Sequence, residues 1–190
     1  MKNNIRKIVI SAMLLALGIV LPLFTAQLKE IGDTLLPMHI PVMLCGLICG
    51  WKYGLTIGIM LPFLRSVLFG MPPIYPNAVW MALEMGTYGL VIGILYNKDI
   101  VKGKIKIYVS LISAMLVGRI VWGIAKLILL GAKGLGFTFA AFIAGGFVDA
   151  LPGIILQLVL IPAIILIIEK FKIVNLTSFI CLEIDELNEL

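Results

Sequence analysis

Apolar residues in this chain come in long runs broken by short polar segments, without the strict alternation that a half-buried strand needs. The runs predict six helices, at about 7–27, 38–53, 54–70, 76–97, 105–131 and 145–169. A helix crosses a bilayer with ~20 mostly apolar residues, and these runs use nearly the whole chain. The second and third are short and almost continuous, turning at Trp51, Lys52, Tyr53 and Gly54. Pro37 and Pro41 suit the start of helix two, where a missing N–H costs little. Pro62 and Pro162 are expected to kink helices three and six. Gly131, Gly134 and Gly136 mark a flexible loop, and 137–144 reads either as a short rim helix or as the start of helix six. The first run, 8–27, is too long for the apolar core of a secretory signal and is expected to stay as the first membrane helix.

Composition agrees with the pattern. Of 190 residues, 62% are hydrophobic and 13% charged, against about 45–50% and 25% in water-soluble domains. The expected architecture is all-α: a polytopic membrane protein, with 1–172 a single six-helix domain and 173–190 an acidic tail bearing Glu183, Asp185, Glu186 and Glu189. A net charge of +5 raises nucleic acid as a partner, but that needs a contiguous basic face, and here the cations sit between apolar runs. Lys2, Arg6, Lys7, Lys52, Lys98, Lys102, Lys104, Lys106, Lys170 and Lys172 fall on one side; only Lys29 and Lys133 fall on the other. The positive-inside rule then puts both termini in the cytoplasm. Three cysteines (Cys45, Cys49, Cys181) form no disulfide framework, and Cys45 and Cys49, one turn apart, read as small packing residues.

Five ionisable residues interrupt the runs: Arg65, Glu84, Arg119, Lys126 and Asp149. Each costs ~2.5–3.5 kcal/mol near a helix centre, so such residues normally face the bundle interior and mark a pathway or a ligand site. All five fall in the middle or outer half of their helices, which suits a pocket open to the outside better than a relay crossing the bilayer. Asn77, Trp80, Glu84 and Tyr88 share one side of helix four by their spacing; Arg119, Trp122 and Lys126 share one side of helix five. Asp149 and Gln157 lie within roughly a quarter turn on helix six. Aromatic rings beside charge suit a small polar organic ligand, and three cations against two carboxylates favour an anion. The alternative for any one residue is a pair that merely holds the bundle together, although small residues achieve helix association in lipid at lower cost.

His39, the single histidine, stands at the outer start of helix two and reads equally as a pocket-rim donor or as loop structure; alone it cannot supply a metal cluster. The uncharged stretch 70–76 reads as a cap or as a tight connection. Ala12 and Ala16, four apart on helix one, let a second helix approach closely, as do Gly46, Gly50, Gly54, Gly89 and Gly93 between internal helices.

Six spans in this length, Ala-xxx-Ala in helix one and polar groups toward the outer ends of later helices resemble the substrate-binding S component of an energy-coupling factor (ECF) transporter. The block from His39 to Trp51, with Pro62-Phe63-Leu64-Arg65-Ser66 and Phe69-Gly70-Met71-Pro72-Pro73, is similar to the pantothenate branch. The resemblance implies a bacterial plasma-membrane protein that docks a transmembrane T component through Ala12 and Ala16. It also implies two partner ABC-type ATPases and delivery by toppling in the bilayer, with no cofactor of its own. The chain carries no G-x-x-x-x-G-K-[ST] phosphate loop, in keeping with hydrolysis by a partner. His39, Arg65, Asn77, Trp80, Glu84, Tyr88, Arg119, Trp122, Lys126 and Asp149 are then the candidate vitamin-binding residues. Rival readings are a stand-alone carrier or channel, a membrane-embedded enzyme, and a purely structural membrane subunit.

Overall fold

The computed structural model describes residues 2–25, 36–97, 105–132, 134 and 136–170, and among them every regular element is helical. Helix α1 covers Lys2–Thr25, α2 His39–Cys49 and α3 Trp51–Phe69; a π-type turn at Ile74–Ala78 leads into α4, Val79–Asn97. Helix α5 covers Ile105–Gly131 and the short α6 Phe139–Ile143, and a second π-type turn, Ala144–Val148, precedes α7, Leu151–Lys170. The six expected segments are all helical, the sixth being assembled from two pieces. Both readings of 137–144 hold in part. Thr138 caps α6, its hydroxyl accepting the Ala141 N–H at 3.2 Å, as a short N-cap side chain should. Pro62 and Pro162 lie inside α3 and α7, which run on through them. The end of the first helix beyond Thr25, the 98–104 connection, Lys29, Lys133 and the acidic tail at 173–190 lie outside the described residues.

Five helical segments are long and apolar enough to cross a membrane. Helix α2 is different: eleven residues rise only about 16 Å, roughly half the ~30 Å hydrocarbon core. All eleven are buried. It is an internal post rather than a wall, and its short length explains a boundary that spacing misplaced. Helix two is expected to reach 53, but Gly50 adopts φ +94° and ψ 177°, a left-handed extended conformation open to glycine. The chain therefore breaks at Gly50, and α3 starts at Trp51.

Helices α3 and α4 run antiparallel in near backbone contact. A methyl group placed on Gly54 would stand 2.8 Å from the Gly89 carbonyl oxygen, and one on Gly89 would collide with the Gly54 backbone. Gly58 meets Met85 and Gly86, and Gly93 meets Trp51. Small residues at such crossings supply the dispersion that holds helices together where no hydrophobic effect acts. Gly46 packs against Gly89 in the same way, so of the glycines expected at internal crossings only Gly50 serves another purpose. These contacts also fix depth: with 58 beside 85–86, residue 65 stands level with about residue 79 of α4.

The centre is packed with fully buried side chains, among them Val42, Met43, Leu61, Met85, Ile92 and Leu111. The outside is the inverse of a soluble surface. Val67, Ile128 and Val159 are 74%, 64% and 67% exposed, which suits hydrocarbon and not water. Helix α1 covers α2 and α3 with Leu14 and Gly18, while Ile8, Val9, Ala12, Met13 and Ala16 point away from the bundle. Cys45 and Cys49 are buried free thiols, Cys45 lying 3.5 Å from the Ser11 hydroxyl.

Candidate ligand site

Polar chemistry collects at two depths between α2, α3, α4 and α5. The deeper station centres on Glu84, 2% exposed. One turn along α4, Tyr88 donates its hydroxyl proton to Glu84 Oε1 at 2.7 Å. From α5, Arg119 Nη1 approaches the same oxygen at 2.9 Å. From α2, His39 Nε2 stands 3.7 Å away, and its ring lies 5.3 Å from that of Tyr88, tilted by 56°. The close approach that permits this is made at Gly118, where any side chain would run into the Tyr88 ring. A carboxylate removed from water survives only when paired and hydrogen-bonded; Glu84 has both, and Arg119 neutralises it.

His39 is not at a rim. It is the first residue of α2 and 2% exposed, because the short α2 begins at the depth of Glu84. Neither ring nitrogen has a hydrogen-bond partner among the described residues, since 3.7 Å exceeds hydrogen-bond length.

The second station lies about 8 Å away toward the α3–α4 connection, five or six residues back along α4. Lys126 Nζ sits among three rings, 4.4 Å from Trp122, 5.1 Å from Trp80 and 5.6 Å from Phe137. Arg119 also lies against Trp122, at 5.9 Å. Cations over aromatic faces at these distances gain about 0.5–2 kcal/mol, more as they are desolvated. Arg65, 8% exposed, lies 5.9 Å from the Phe69 ring, and its Nε and Nη1 have no acceptor among the described residues. Just beside it the α3–α4 connection is tied down. The Ser66 hydroxyl donates to the Pro72 carbonyl and the Gly70 N–H to the Ser66 carbonyl.

Of the residues singled out by sequence, the fold brings Glu84, Tyr88, Arg119 and His39 together, and Trp80, Trp122 and Lys126 together. Asn77 is half-buried in the π-type turn ahead of α4, where Tyr75 is extended (φ −124°, ψ 129°). Asp149 joins neither station: it occupies the turn in front of α7 and is exposed, and it makes no ion pair among the described residues. Gln157, its expected neighbour, is buried and reaches the Leu36 carbonyl at 3.5 Å. At the two stations Arg65 and Arg119 are buried and Lys126 is half-buried, against Glu84 as the one buried carboxylate among the described residues, and the surplus is positive.

Phe137 and Phe142 are contributors that periodicity did not single out. Both pack on Trp122, at 6.0 Å and 6.2 Å between ring centroids. They follow a glycine-rich loop where no helical phase is available; their aromatic character was the one signal. Between this segment and α5 runs an apolar cavity of about 360 Å³, lined by residues including Ile120, Gly123, Leu127, Phe137 and Phe142.

The family model for the substrate-specific component of ECF transporters matches residues 6–165. No curated protein and no solved structure gives a significant match. With all but the ends of the chain matched, and with helices throughout that stretch, the chain belongs to the ECF transporter substrate-specific component family.

Proposed function

We propose that this chain captures a small anionic water-soluble vitamin, pantothenate being the candidate, and passes it inward as the S subunit of an ECF-type importer. Family membership supports a transport subunit that works with a T component and ATPase modules. The observation that carries the ligand class is the positive surplus at the site: Arg65 is buried, and its Nε and Nη1 have no acceptor among the described residues. In a low-dielectric interior such cations call for an anion from elsewhere. The charge bias of the connecting segments favours an outward-facing α3–α4 end, which supports Arg65 meeting the guest first in a bacterial plasma membrane. Trp80 and Trp122 supply apolar walls for a carbon skeleton, with Asn77 near the mouth. Ala12 and Ala16, on the free face of α1, suit the docking of the T component. Asp149, exposed and apart, is left out of the ligand site.

Equilibrium binding or native mass spectrometry with the purified chain and a panel of water-soluble vitamins tests this. One carboxylate vitamin, pantothenate first, is expected to bind, and in liposomes the chain alone should hold it without sustained uptake. Binding of none removes the proposal; sustained uptake by the chain alone makes it a stand-alone carrier.

A further inference from the structure

Three cations approach the site, and the geometry distinguishes them. Arg119 is committed to Glu84 at 2.9 Å. Lys126 is sheathed by Trp80, Trp122 and Phe137, so its charge is already met by ring faces and it fastens Phe137 to α4 and α5. Arg65 is the exception. The residue is 8% exposed, yet its Nε and Nη1 are buried and find no acceptor among the described residues. Buried donors left unmet are costly, more so when charged, and a guanidinium is the side chain best shaped for a carboxylate. Deeper by about 8 Å, the second unmet group is His39, with neither ring nitrogen hydrogen-bonded among the described residues and with the Glu84 carboxylate, which would repel an acid, 3.7 Å away.

We infer that Arg65 is the residue that reads the ligand's acid group, and that the guest lies with its carboxylate toward the α3–α4 connection and a neutral, hydrogen-bonding end toward His39. This rests on the capture reading above. It narrows that reading to ligands carrying one acid group at one end and hydroxyl or amide groups at the other. Lys126 becomes a positioning residue rather than an anion contact.

The test compares a carboxylate ligand with the alcohol in which the acid is replaced by hydroxymethyl, pantothenate and pantothenol first, on the wild-type chain, R65Q, R65K and K126M. Wild type should prefer the acid. R65Q should lose about 10- to 100-fold in affinity for the acid and little for the alcohol, R65K should recover part of the preference, and K126M should keep it. A second readout needs no ligand. Because two buried nitrogens of Arg65 have no acceptor among the described residues, ligand-free R65Q should unfold at the same temperature as wild type or higher. A lower one, or failure to fold, means Arg65 is structural and overturns the assignment. An acid-to-alcohol ratio unchanged in R65Q, or abolished in K126M instead, overturns it while leaving vitamin capture intact. A wild-type chain that binds no carboxylate in the panel removes both.

Discussion

The two stations use similar residue types to opposite ends. Around Glu84 every strong charge has its partner: Arg119 at 2.9 Å, the Tyr88 hydroxyl at 2.7 Å and the His39 ring beside them. Around Arg65 the charge is open, set against the Phe69 ring and with two nitrogens that have no acceptor among the described residues, while Lys126 beside it is sheathed by Trp80, Trp122 and Phe137. A closed network ties three helices together; an open one has capacity left for a guest. The difference teaches that intramembrane charge is not one category. Its partners, more than its presence, separate scaffold from site.

Substitutions can break the comparison. The largest effect is expected at Arg119→Gln, which leaves Glu84 buried without its counter-charge and should destabilise the chain by about 3–5 kcal/mol, seen as a lower unfolding temperature in detergent. The double variant R119Q/E84Q should recover much of that loss. Next, Gly89→Val forces α3 and α4 apart at Gly54 and should cost about 1–3 kcal/mol or more, on the same assay. Tyr88→Phe removes one hydrogen bond to a carboxylate and should cost about 1.5–3 kcal/mol, with the ligand's acid preference unchanged. Lys126→Met should cost only about 0.5–2 kcal/mol, and hydrogen exchange should rise in the 137–148 segment that Phe137 anchors. Asp149→Asn is the smallest, within about 0.5 kcal/mol and with unaltered ligand affinity. If R119Q proves mild and K126M severe, the roles of the two stations are reversed.

Much of this was legible in the chain because helical phase is a strong signal over long apolar runs. The spacing of Glu84 and Tyr88, and of Arg119, Trp122 and Lys126, put each set on one face, and the fold faces the two sets together. What spacing could not supply was depth along a helix of unexpected length. A membrane-long helix two puts His39 at the periphery; α2 instead ends at Cys49, ahead of the break at Gly50, and its buried start lands beside Glu84. Phase also weakens wherever the turn is not α-helical. Asp149 follows the π-type turn before α7 and is exposed, while Gln157, its expected neighbour, is buried and turned to the Leu36 carbonyl. Phe137 and Phe142 lie beyond glycines that reset direction, so no periodicity pointed to them.

The central claim is that the open charge near the α3–α4 connection is completed by a guest and not by the chain. An experimental structure with a carboxylate vitamin bound tests it most directly. The account predicts the acid within hydrogen-bond distance of Arg65, with the Glu84–Arg119 pair intact beneath it. It is contradicted if Arg65 pairs with a carboxylate of its own chain, or if the acid sits on Arg119 with Glu84 displaced.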